Sequence, residues 1–131
     1  MFVVPVYAAI LGLLFIKLSV NVVRARRQAK VAIGDGSNPQ LQRAIAVHCN
    51  FAQYVPITLL LLTFCEMQQA PSLFIHVLAM ALLISRLLHA YGVSQIKEDF
   101  RFRSVAMVTT FAVIGVSALY LLASPVYFML H

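Results

Sequence analysis

Residues 41–65 read LQRAIAVHCNFAQYVPITLLLLTFC, a run whose sole formal charge is Arg43. A bilayer core about 30 Å thick asks for ~20 largely apolar residues in one helix, and this run meets that length. Pro56 inside it predicts a kink, which a membrane helix tolerates because neighbouring helices can satisfy the freed carbonyl. Upstream, an apolar segment covers about residues 2–23, interrupted only by Lys17 and Asn21 near its end, where long side chains snorkel to the interface. Downstream, two more cover about 72–91, restarting after Pro71, and 103–123, with Ser124 and Pro125 expected to end the last.

Four such spans with short connections use nearly all of the 131 residues. The expectation is an all-α, four-helix membrane bundle in a single domain, 1–131. Composition agrees, because 62% hydrophobic and 11% charged residues exceed the roughly 45–50% apolar content of soluble domains. The net charge of +6 does not indicate a nucleic-acid partner, since the basic residues flank apolar segments instead of forming a polar face. Cys49 and Cys65 both lie in an apolar run, which argues against a disulfide framework or a metal site and predicts two small buried side chains. The first segment has no basic flank before it and no small-residue cleavage site, so it is expected to remain as a helix rather than act as a signal peptide.

Arg24, Arg26, Arg27, Lys30 and Arg43 cluster around the first connection, and Lys97, Arg101 and Arg103 around the third. The second connection, EMQQAPS, has no basic residue. The positive-inside rule therefore predicts loops one and three in the cytoplasm, with both termini on the other side.

Polar groups inside a span are costly and mark candidate sites, although many merely tie helices together. At about 100° per residue, Arg43, Asn50, Gln53 and Tyr54 share an arc of roughly 100° on segment two. Arg86 and His89 share a face of segment three, and Arg103 with Ser104 opens segment four. The carboxylates are Asp35, Glu66, Glu98 and Asp99, all in loops or at helix ends. Arginines without acidic neighbours in the spans predict an anionic ligand or carbonyl partners. The plainer alternative is that the helix-end arginines bind lipid phosphates while Asn50 and Tyr54 bond neighbouring helices. His48, opposite Asn50, and His76, deep in an apolar run, are expected to be packing residues. The GDG of residues 34–36 is expected to be a turn, not a phosphate loop.

RAIAVHCNFAQYVP, residues 43–56, resembles the R-A-x-x-N-x-x-E-Y-x-P signature of the MAPEG family, membrane-associated proteins of eicosanoid and glutathione metabolism. Arg26-Arg27 and Lys30-Val31 look like that family's basic first loop. RLLHAYG, residues 86–92, resembles its third helix, and Arg103-Ser104-Val105 the start of its fourth. The GDG loop followed by RAIAVHCNF and QYVP looks most similar to the small bacterial, YecN-like branch.

The resemblance implies a homotrimer of four-helix subunits in a bacterial inner membrane, with glutathione as cosubstrate between subunits near the cytoplasmic face. It implies glutathione contacts from Arg26, Asn50, Gln53, Tyr54 and His89, with Arg103 facing the thiol. Ser104 matches a catalytic position of one branch, though a serine there also suits a helix cap. A guanidinium beside sulfur favours thiolate, the nucleophile, at neutral pH, so the implied activity is transfer to, or reduction of, a lipophilic electrophile.

The chain departs from the family pattern where Ala46 replaces an arginine, Gln53 a glutamate and Gln42 another glutamate. The first loss removes a bidentate carboxylate clamp and the second a partner for the ligand's ammonium. The alternatives are a non-catalytic relative that binds lipid or another anion at subunit interfaces and a small multidrug transporter. Proton coupling in the last would need a titrating carboxylate within a span, and the sequence places none there.

Overall fold

The computed structural model describes residues 2–130, and the side chains of 2–125. Its helices are α1 (Val4–Ala29), α2 (Pro39–Met67), α3 (Ser72–Ser94) and α4 (Phe100–Leu130). No strand occurs among the described residues, and each helix is long and apolar enough to cross a membrane.

Local chemistry sets the helix ends. α1 stops where Lys30 adopts a left-handed φ of 56° and its amide returns to the Arg26 and Arg27 carbonyls, with both arginines complementing the helix C-terminus. Gly34 and Gly36 take positive φ in the following turn, and Asp35 Oδ1 accepts the Ser37 amide at 2.9 Å, as expected of a GDG turn. Asn38 then caps α2 by accepting the Leu41 amide at 3.0 Å, next to Pro39 in the first turn. α1 has no side-chain cap of its own. Its Val3 and Val4 amides instead donate to Glu66, the acidic residue near the end of α2, so one carboxylate closes the helix N-terminus from across the bundle.

Two sequence expectations need correction. Ser124 and Pro125 do not end the fourth helix, which continues through Pro125 to Leu130. Proline deletes only one donor, and a helix in an apolar setting keeps its remaining backbone bonds because no water is there to replace them. Cys65 is buried, but Cys49 is exposed, on an outer face of α2 with Ala46 and Gln53. Lying within a membrane span does not bury a residue inside its own chain, because lipid or another subunit can cover the outer face.

α2 and α3 each pack against the other three helices, whereas α1 and α4 do not meet among the described residues. Leu11, Leu62, Ile75, Leu82 and Val113 fill the core. Small hydroxyl residues let the helices approach closely. Thr58, Thr110 and Ser117 bond back to carbonyls of their own helices, and Ser85 reaches Thr110 at 3.2 Å across α3 and α4. His48 stacks on Phe15 with ring centroids 4.8 Å apart and meets Ser19, and His76 meets the Tyr7 hydroxyl at 3.1 Å. Both histidines thus tie α1 to a neighbour.

Gly92 sets how near α4 begins to α3, because a Cβ there would lie 2.7 Å from Phe102 Cβ. Gly92→Ala is expected to push the start of α4 outward and to cost about 1–3 kcal/mol, the usual scale of overpacking. Thermal unfolding in detergent measures this, and a wild-type melting temperature would mean that Phe102 yields without loss.

Candidate functional site

The end of the bundle carrying the C-terminus of α1, the start of α2, the end of α3 and the start of α4 also carries most of the basic residues and is thus the basic end. Slightly inside it, Arg86 of α3 is only 2% exposed. Its Nη1 donates to Asn50 Oδ1 of α2 at 2.7 Å, and its Nη2 points to Met107 Sδ of α4 at 3.7 Å. Its Nε is buried without a hydrogen-bond partner. A buried guanidinium with one amide oxygen and one thioether, a weak acceptor, is under-compensated for a cation removed from water.

Tyr54, one turn after Asn50, stands beside the same guanidinium and meets Phe111 of α4 edge to face at 5.6 Å. His89, one turn after Arg86, is buried within range of the charges of Arg86, Arg103 and Glu98. Asn50, Tyr54, Arg86 and His89 therefore line one seam among α2, α3 and α4.

The sequence pattern predicts arginines without acidic partners; this holds for Arg86, which bonds an amide oxygen, but not for Arg43 and Arg103. Glu98, in the α3–α4 connection, has a side chain only 2% exposed and is clasped by two arginines. Arg43 of α2 donates to its Oε2, and Arg103 of α4 reaches Oε2 through Nη2 at 2.9 Å and Oε1 through Nε at 2.7 Å. The Arg103 Nε contact is a close ion pair without hydrogen-bond alignment, since both of its atoms lack a well-directed partner. Arg43 also approaches the Val93 carbonyl at 3.5 Å. The carboxylate lies outside the spans in sequence, yet the connection folds back over the helix ends and delivers it to both guanidiniums.

The other sequence candidates are placed apart. Arg26 donates to the Gly34 carbonyl at 2.6 Å, so in this chain it braces the first loop rather than the seam. Gln53 and Ser104 are exposed and face away from their own bundle. Arg86 is the residue that the sequence reading left out of its binding set. The signal was available, because it is a charge inside an apolar segment one turn from His89. Among the described residues, no three His, Cys, Asp or Glu side chains converge as metal ligands do.

Comparison with known proteins agrees with the signature in α2. The family model described as "MAPEG family" matches residues 4–123. The chain is 41% identical over 104 residues to "Inner membrane protein YecN" of Escherichia coli K12, covering 79% of this chain and 78% of the relative. The protein of the same name from Escherichia coli O6:H1 matches to the same extent. No solved structure matches. Since the family match begins in the first helix and ends in the last span, the chain belongs to the MAPEG family of membrane proteins.

Proposed function

We propose that the protein is a glutathione-dependent transferase or peroxidase of the bacterial inner membrane, acting as a homotrimer on lipophilic electrophiles. Loops one and three lie in the cytoplasm, and glutathione binds at the subunit boundaries near that face. The observation that carries this reading is the buried Arg86 guanidinium, held by Asn50 with a donor to spare and beside Tyr54, with His89 one turn on, within range of both Arg86 and Arg103. Such a seam suits a ligand bearing carboxylates and an ionisable thiol.

In this mechanism Asn50 and Tyr54 orient the tripeptide, Arg86 meets negative charge, and Arg103 stabilises thiolate, which attacks the electrophile. The outward position of Gln53 and Ser104 fits a site walled on one side by a second subunit. Calorimetry on the detergent-purified protein tests the reading. Binding heat with glutathione is expected, and none at millimolar thiol overturns it.

A second reading is a non-catalytic family member that holds another anion in the same seam. It is favoured by Glu98, which already satisfies Arg43 and Arg103, and by Ala46 and Gln53. Ala46→Arg with Gln53→Glu separates the two. Restoring both charges is expected to tighten glutathione binding at a glutathione site, each contributing on the order of 1.5–3 kcal/mol, whereas a site built for another anion gains nothing.

A further inference from the structure

A second cationic feature of the basic end lies on another side of α2. There a groove of about 940 Å³ opens between α1 and α3 with α2 as its back. Along one wall α1 presents Lys17, Asn21, Arg24 and Gln28, spaced at three or four residues and so on one face. Arg43 and Lys97 stand across from them. Leu14, Leu18, Val47 and Leu87 form the apolar floor. No carboxylate lines the groove.

Arg43 shares the Glu98 carboxylate with Arg103, whereas Lys17, Arg24 and Lys97 form no ion pair among the described residues. Lys17 lies seven residues before Arg24, about 10 Å deeper along the helix. It lies midway along the span-length helix α1, where an isolated ammonium is costly.

We infer that this groove is a binding site for an anionic phospholipid of the leaflet at the basic end. Its phosphate lies between Arg24, Lys97 and the upward-reaching Lys17, and its acyl chains lie along the apolar floor. Asn21 and Gln28 donate hydrogen bonds to headgroup oxygens. A soluble phosphate would use only the rim and leave the floor empty, while a zwitterionic lipid would bring its own cation among three unpaired ones. Basic pockets between spans on the cytoplasmic side suit anionic headgroups for the same reason. The groove does not depend on glutathione, since neither Arg86 nor Arg103 lines it.

The test uses the full chain in nanodiscs of phosphatidylcholine alone or mixed with phosphatidylglycerol, followed by native mass spectrometry after transfer to detergent. Retention of phosphatidylglycerol near one per chain, with phosphatidylcholine lost and no competition from inorganic phosphate, is expected. Lys17→Gln with Arg24→Gln is expected to weaken retention roughly 25-fold, taking about 1 kcal/mol per basic residue. The charge-matched pair Arg27→Gln with Lys30→Gln, which lies outside the groove, should leave retention unchanged. Equal retention of the two lipids overturns the proposal without any substitution. Displacement by inorganic phosphate, or equal loss in both double variants, reduces the site to general surface charge and overturns it too.

Discussion

Replacing Asn50 with leucine is expected to destabilise the protein by about 3 kcal/mol, far more than the loss of an ordinary interhelical hydrogen bond. Polar contacts between membrane helices average about 0.6 kcal/mol, because the separated helices find other partners. Asn50 differs in accepting from a cation. Arg86 is 2% exposed, its bond to Asn50 Oδ1 is 2.7 Å long, and its remaining contact is a thioether at 3.7 Å. Deleting the oxygen leaves a buried charge without an oxygen acceptor among the described side chains. Breaking a buried ionic contact by removing one partner costs about 3–5 kcal/mol, and the neutral amide places this case at the lower end.

Arg86→Met added to Asn50→Leu should recover most of the loss, because it removes the orphaned charge and fills the space with an apolar chain beside Met107. Thermal unfolding of the wild type, both single variants and the double variant gives the coupling between the two positions. Additive losses would mean that Arg86 is compensated by something other than Asn50, and the seam would lose its organising contact.

That contact was half legible in the sequence. The stripe on segment two named Asn50 and Tyr54, and segment three showed Arg86 and His89 on one face, because helical periodicity fixes which residues of one helix align. Which faces of two helices meet depends on their relative rotation and register, and a single sequence does not encode these locally. The four spans were legible for a simpler reason: a bilayer demands long apolar runs whatever their packing.

Where long-range pairing decides, local reading failed. Glu98 lies 55 residues from Arg43, and Glu66 lies 63 from Val3. Both stand in a loop or at a helix end in the sequence, although one pairs with two arginines and the other caps α1. Cys49 and Pro125 share a different cause, since rules learned from water-soluble proteins treat an apolar segment as interior and a proline as a helix stop. Lipid removes both penalties, by covering an apolar outer face and by withholding the water that would compete for backbone groups.

Glu98 leads to the other large effect, two substitutions at one ion cluster that shift glutathione affinity in opposite directions. Arg103→Ala is expected to abolish measurable binding, since it removes the cation that meets the thiolate in the proposed mechanism. Glu98→Gln is expected to strengthen binding by on the order of 10- to 100-fold. Arg103 is engaged at 2.7 and 2.9 Å by the Glu98 carboxylate, so an incoming anion must displace that contact or share it. A hydrogen bond to a charged group is worth about 1.5–3 kcal/mol, which converts to that range of affinity. Glutamine keeps the shape and one acceptor oxygen, so the connection over the helix ends can still close. Calorimetric titration of both variants with glutathione provides the comparison. Weaker binding in both would make Glu98 a brace that positions the two guanidiniums for the ligand. If neither variant changes the affinity, Arg103 takes no part in holding the thiol peptide, and the carboxylate serves only to join the third connection to α2 and α4.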